Sequence, residues 1–323
     1  MTPTDRDNPR SGPYLATRRV PKCGCHVPVA GPPPGPTRCF SPCTADLASS
    51  PRRNSAVTPS PPAFRPVPSP PGPQPVPGTP TGPGPGRWAR WVSELAATAL
   101  MLLAMTVLMC HLFHPDSWLH AHLASDDSRL LVDAVVSGAV VAALIASPLG
   151  RLSGAHMNPA VTVVLWVVRR LPGRDVPLYL SAQAVGSVLG TAAGRLLVGP
   201  SVAHRDVNYA LLSVRHPASG VWIMLGEAIA TGVLLAVVIR LARDPGLADV
   251  APLTIGALLT VLIALTTNIT GGSLNPARQF GPWLMSGGHG LLWPYVVGPL
   301  IAAVVVGATA AAVPGPVGGR TRL

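Results

Sequence analysis

Charge is what this sequence most lacks. Asp, Glu, Lys and Arg together make up 11% of the 323 residues, and mean hydropathy is +0.40. A soluble domain carries about a quarter charged residues, so an average soluble fold is excluded. Lysine is almost absent: Lys22 stands alone, and the net charge of +11 is nearly all arginine. Many of those arginines lie in the N-terminal segment or at the ends of apolar blocks, which orients a chain in a membrane and does not build a nucleic-acid face. Cysteine provides no disulfide frame. Cys23, Cys25, Cys39 and Cys43 crowd into "CGC" and "CFSPC", a weak metal spacing without a folded frame, and Cys110 sits inside an apolar block as a packing residue. The apolar blocks also lack a Ser/His or metal cluster. His111, His114, His120, His122, His204 and His216 fall mostly in loops, so a membrane enzyme has no catalytic centre here and no cofactor is called for.

What is present divides into two regions. Residues 1–87 hold 24 of the 39 prolines and no apolar periodicity. A segment of this composition cannot bury enough surface to offset its ordering entropy, so a disordered, partly polyproline II cytoplasmic tail is expected. Its start lacks the basic-then-apolar pattern of a cleaved signal peptide. From about Trp91 onward the chain is apolar, in six blocks: about 91–113, 130–150, 177–198, 220–241, 251–269 and 291–313. Roughly 20 apolar residues cross a hydrocarbon core of about 30 Å, so each block predicts a transmembrane helix. An even number puts both termini on one side. That side carries Arg87, Arg90, Arg151, Arg169, Arg170, Arg174, Arg240, Arg243, Arg320 and Arg322, against Arg129, Arg195, Arg205 and Arg215 on the other. The positive-inside rule then places both termini, including a short tail over 314–323, in the cytoplasm.

Two apolar pieces are too short to cross. "PAVTVVLWVV" (Pro159–Val168) and "PARQFGPWLM" (Pro276–Met285) are each ten residues, about 15 Å of helix, or half a bilayer. Each follows an asparagine: Asn158-Pro159-Ala160 in the first, Asn275-Pro276-Ala277 in the second. Asn at the cap and Pro at the first helical position start a helix well, so both are predicted half-helices. The first block contains Glu94-Leu95-Ala96-Ala97-Thr98 and the fourth Glu227-Ala228-Ile229-Ala230-Thr231. Each half therefore runs span, span, half-helix, span, an internal duplication over about 88–198 and 220–313. Three crossings separate the copies, so they are inverted, and both Asn-Pro starts reach the midplane from opposite sides. Inverted repeats with broken helices mark a conduit or transport site.

The approaches "SGAHMN" and "TGGSLN" would present backbone carbonyls to a watery lumen, since irregular backbone at membrane depth survives only where protein or water satisfies it. The side-chain amides of Asn158 and Asn275 would point N–H groups into that lumen. Both helix N-termini carry about half a positive charge each and repel cations there. Arg278 adds a fixed charge on the outer side; the competing reading is a structural ion pair with Glu94 or Glu227. The two glutamates are expected to accept N–H groups from the half-helix approaches. The sharper alternative is proton relay in a secondary transporter of the same inverted-repeat architecture, against which stand their symmetry and the expected lack of other buried acids. His156 either lines the inner vestibule or caps the loop.

These motifs, with "AQAVGS" (Ala182–Ser187) and "WPYVVGP" (Trp293–Pro299), resemble the aquaporin (major intrinsic protein) family over about residues 88–313. The resemblance implies an all-α membrane fold, a right-handed bundle of six transmembrane helices and two re-entrant half-helices, one pore per protomer and a homotetramer in the plasma membrane. It implies a passive channel for water and small uncharged solutes, in contact with lipid and not with nucleic acid. Carried over by distance from the motifs, the family's outer filter falls on Arg278, Gly272, Ile263 and Gly138, or Ser137 one residue earlier. Strict water channels place an aromatic at the second-span position and a histidine at the fifth. This ring is wider and less polar, and resembles filters of plant intrinsic proteins that pass glycerol, urea, boric acid or other metalloid hydroxides. Glycerol facilitators place Asp after the filter arginine, where this chain has Gln279.

Overall fold

The computed structural model describes residues 86–123, 125–214 and 218–313. Contacts group the chain into Met1–Pro73 and Gln74–Leu323, and the described residues all belong to the second unit. The expected Pro-rich tail with its four cysteines, the C-terminal tail, Arg215 and His216 lie outside the described residues, Gly86 and Arg87 excepted.

Among the described residues ten α-helices follow one another: α1 (Arg87–Phe113), α2 (Trp118–His122), α3 (Asp126–Ala146), α4 (Pro148–Ser153), α5 (Pro159–Val167), α6 (Val176–Val198), α7 (Gly220–Arg243), α8 (Ala251–Thr270), α9 (Pro276–Met285) and α10 (Trp293–Ala312). Five of them, and the stretch Gly173–Ala203 built around α6, are long and apolar enough to cross a membrane, with mean hydropathy from 1.2 to 2.2. They coincide with the six blocks read from sequence. The second block differs in detail. It was expected to continue to residue 150, but α3 stops at Ala146 because Pro148 cannot extend it. Ser147 closes α3 through its N–H to Leu144 O and opens α4 by accepting Gly150 N–H at 3.3 Å.

Proline and glycine punctuate the other ends. Pro177, Pro252 and Pro294 each sit in a helix's first turn, where a missing N–H is harmless. Gly271, at φ 95°, turns the chain out of α8 in the left-handed conformation that favours glycine.

Lipid tails offer no hydrophobic drive between helices, so close packing through small residues must hold the bundle. α1 packs on α6 and α7 on α10, each pair within one repeat, while α3 packs on α8 across the repeats. The contacts run through glycines. A Cβ added at Gly190 would lie 2.2 Å from Ala99 O, one at Gly298 2.4 Å from Met224 O, and Gly138 and Gly256 face each other with no room for side chains. Large apolar side chains such as Leu196, Ile229 and Leu253 point outward from the bundle. Cys110 is buried with Val202 and Val207 under the loop after α6.

Gly190→Val should drive α1 from α6 and lower the melting temperature of the purified protein, a loss of about 1–3 kcal/mol or more. Gly232→Ala, where a Cβ meets only Val306 at 3.7 Å, should melt as wild type. Equal melting curves for the two would remove this close contact from the account.

Candidate functional site

Asn158 and Asn275 cap α5 and α9, each side-chain oxygen accepting the N–H two residues on, from Ala160 and Ala277, at 2.9 Å. Pro159 and Pro276 follow at the first helical positions. The amide nitrogens then cross. Asn158 Nδ2 donates to Leu274 O at 2.9 Å and Asn275 Nδ2 to Met157 O at 2.8 Å. Each asparagine thus binds the carbonyl just before the other, and the half-helices are tied tip to tip. The sequence reading left these amide N–H groups to the lumen; one from each is used for this lock.

The approaches are strained. Ala155, Met157 and Leu274 hold φ of 48°, 45° and 51°, conformations costly for residues with a Cβ. Glu94 and Glu227, both fully buried, face them. Glu94 accepts the N–H of His156 at 3.2 Å and that of Met157, and Gln183 Nε2 at 2.8 Å. Glu227 accepts Ser273 N–H at 3.1 Å, Leu274 N–H at 2.7 Å and the Thr270 hydroxyl at 2.7 Å. Two tyrosines that sequence reading passed over complete the symmetry: Tyr179 donates to Ser153 O at 2.5 Å and Tyr295 to Thr270 O at 2.6 Å. They stand at matched places in the third span of each copy, which was a readable signal.

α9 has a further tie. Pro282 interrupts its ladder, and the Ser187 hydroxyl of α6 enters the gap, accepting Gly281 N–H at 2.7 Å and donating to Ala277 O at 2.5 Å.

Around the locked tips runs a cavity of about 380 Å³. Its wall on α3 is one stripe at four-residue spacing, Asp133, Ser137, Val141 and Ile145; α8 contributes Ile255, Leu259 and Ile263. Gly154–Asn158 and Gly271–Ser273 also line it, with Met101 and Met105 of α1 and Leu234 and Val238 of α7, and Asp244 after α7. Of the residues predicted for the outer ring, Ile263, Gly272 and Arg278 line this cavity. Gly138 does not: it is buried in the α3–α8 contact, where a Cβ would meet Thr260 Oγ1 at 2.2 Å. One helical residue turns a side chain by about 100°, which carries position 138 off the wall. Ser137 takes its place, the other register. His156 lines the cavity and also holds Thr162 Oγ1 at 3.1 Å.

Arg278 is 8% exposed and pairs with neither glutamate. Its Nη1 donates to Ala210 O at 2.7 Å, and Gln279 beside it brackets Leu212, accepting its N–H at 3.2 Å and donating to its carbonyl at 2.9 Å. The loop after α6, with Asn208, Tyr209 and Ala210 all at positive φ, is thereby drawn over the cavity's end. The acid facing Arg278 is Asp133, 5% exposed on the same cavity. No third acid in the spans was expected. Asp133 lay inside the second block, close enough to its end to pass for an interfacial residue.

The sequence model of the Major intrinsic protein family matches residues 85–310. The chain belongs to the major intrinsic protein family. It is 43% identical over 177 residues to a protein of Archaeoglobus fulgidus named probable aquaporin AqpM, covering 51% of this chain and 68% of that one. To the glycerol uptake facilitator protein-like 6 of Lactiplantibacillus plantarum it is 38% identical over 161 residues, 48% of this chain and 73% of that one. The X-ray structure of the aquaglyceroporin from Plasmodium falciparum has the same fold, with a TM-score of 0.59 and 22% identity over 71% of this chain and 97% of that one. Members of the major intrinsic protein family are passive channels, and this chain is a multi-pass membrane channel, not an enzyme. A coupled transporter is not favoured.

Glu94→Gln or Glu227→Gln would turn an N–H donor toward backbone N–H donors, losing about 1.5–3 kcal/mol per bond to the carboxylate. Both variants are expected to melt earlier in detergent and to lose conductance. A wild-type melting profile for either would show the approaches hold without the carboxylate.

Proposed function

We propose that the chain is a plasma-membrane pore, one per protomer of a homotetramer, passing water and small uncharged hydroxylated solutes while excluding protons and other ions. The reading is carried by one observation, the crossed asparagine bonds: they hold two helix N-termini against one point of the lumen. Each terminus brings about half a positive charge, so a cation meets a barrier where a neutral solute meets donors. The remaining amide N–H of Asn158 and of Asn275 orients the oxygen of a passing molecule and interrupts a proton wire.

The outer ring is Ser137, Ile263, Gly272 and Arg278. Among the described residues no Phe, Tyr or Trp side chain lines it, so it admits molecules wider than water, and its mix of one apolar and several polar walls suits polyols and uncharged hydroxyacids. The glycerol facilitator among the relatives agrees with this class. Both termini are cytoplasmic by arginine distribution, and Arg87 beside Asp175 and Arg174 fits one positively charged inner face.

Stopped-flow light scattering on proteoliposomes tests the reading. An impermeant osmolyte should give fast shrinkage; glycerol, urea or boric acid should give shrinkage followed by reswelling faster than in empty liposomes. Shrinkage with no reswelling marks a water-selective pore and refutes the wide ring. Arg278→Ala should keep solute flux and raise proton or cation leak on the order of tenfold, as about 1.4 kcal/mol of repulsion is lost. An unchanged leak, read with a pH-sensitive dye, assigns exclusion to the half-helices alone.

A further inference from the structure

Two carboxylates line the cavity among the described residues, Asp244 between α7 and α8 and Asp133 beside the outer ring, a full turn from Ser137 on the α3 stripe and facing Arg278. About 10 Å of helix separates Asp133 from the start of α3, and it is 5% exposed. A buried carboxylate requires donors. An ionised one offers about four acceptor sites, yet among the described residues its sole hydrogen bond is a long one, from Ser137 Oγ at 3.4 Å, and that hydroxyl also reaches Met105 Sδ at 3.0 Å. Among the described residues the second carboxylate oxygen has no hydrogen-bond partner.

Arg278 is likewise underused. Among the described residues the one hydrogen bond of its guanidinium is from Nη1 to Ala210 O, and it makes no direct ion pair with Asp133, though the two charges act on each other across the cavity. A guanidinium has five N–H donors, so several remain for the lumen. Acceptor and donor therefore stand on one lumen with their free capacity unspent on each other, while Ile263 supplies an apolar wall.

A neutral solute entering this ring gives up hydrogen bonds to water, and the barrier is set by how many the wall returns. A polyol needs both an acceptor for its O–H protons and a donor for its oxygens. We propose that Asp133 is a specificity-determining residue: with Arg278 it forms a two-sided clamp, Asp133 accepting from solute hydroxyl groups and Arg278 donating to hydroxyl oxygens, so that small polyhydroxy molecules pass in preference to like-sized solutes with fewer hydroxyls. This rests on the channel reading above. Its charge also offsets that of Arg278, which leaves the ring near neutral and hospitable to uncharged solutes.

The test uses the full chain in proteoliposomes, with flux through empty liposomes subtracted. Glycerol and 1,2-propanediol are near in size but differ by one hydroxyl, and the wild type is expected to pass glycerol faster through the protein. Asp133→Asn replaces a charge-assisted acceptor with a neutral amide. It should lower glycerol flux about tenfold while water permeability changes by less than about twofold, which removes the preference. Retention of the wild-type glycerol-to-propanediol ratio in Asp133→Asn overturns the clamp. So does a wild type that conducts water but passes propanediol as readily as glycerol, or passes neither, and this comparison decides alone if the variant does not fold. Wild-type vesicles no faster than empty ones for water and for both solutes would instead overturn the channel reading itself.

Discussion

Two hydrogen bonds hold the centre of this molecule together. Asn158 reaches the carbonyl before Asn275, and Asn275 reaches the carbonyl before Asn158. Without them two short helices would meet end to end with like poles facing, an arrangement that repels. With them the poles are fixed at contact and the repulsion is turned outward, onto whatever passes. The remaining architecture serves that arrangement. Glycine contacts bring α1 to α6 and α7 to α10, which sets the depth to which each half-helix can penetrate. Proline at the first position of α5 and α9 removes an N–H that no partner at that depth could satisfy.

The supporting chemistry follows from the solvent. In hydrocarbon a backbone group without a partner costs several kcal/mol, so five residues of irregular chain in each approach demand acceptors for their N–H groups. The chain has two glutamates in all, Glu94 and Glu227, and both are used for this. A carboxylate accepts several N–H bonds at once from groups turned inward by a left-handed residue, which no neutral side chain of that size does. Tyr179 and Tyr295 take the carbonyls just upstream, those of Ser153 and Thr270.

Much of this was legible in the sequence because length and repetition are strong signals. Six blocks of membrane-spanning length, two half-length pieces and two copies of Asn-Pro-Ala fix the topology before any coordinate is known. The glutamates were legible because they recur at matching places. What escaped were features that occur once. Gly138 and Ser137 differ by one residue in a helix, and only the packing of α3 on Gly256 decides which faces the lumen. Asp133 has no counterpart in the second copy to draw attention to it. Ser187 inside the α9 ladder and the collar of Ala210 and Leu212 on Arg278 and Gln279 depend on contacts across 67 or more residues, which local pattern cannot carry.

The duplication is close in its backbone and unequal in its side chains. Arg278 stands three residues after Asn275, and the same place after Asn158 holds Val161; both face the cavity. The two ends of the path are therefore unlike, with the arginine on one side of the asparagines only. Such a lopsided profile cannot rectify, because detailed balance requires equal permeability in both directions when no gradient is applied. What it can do is separate the two sides in occupancy. A solute arriving from the Arg278 end meets that group before the asparagines, and one arriving from the other end meets it after them. The concentration at which flux saturates is then a property of the side from which the solute comes, although the pore itself has no preferred direction.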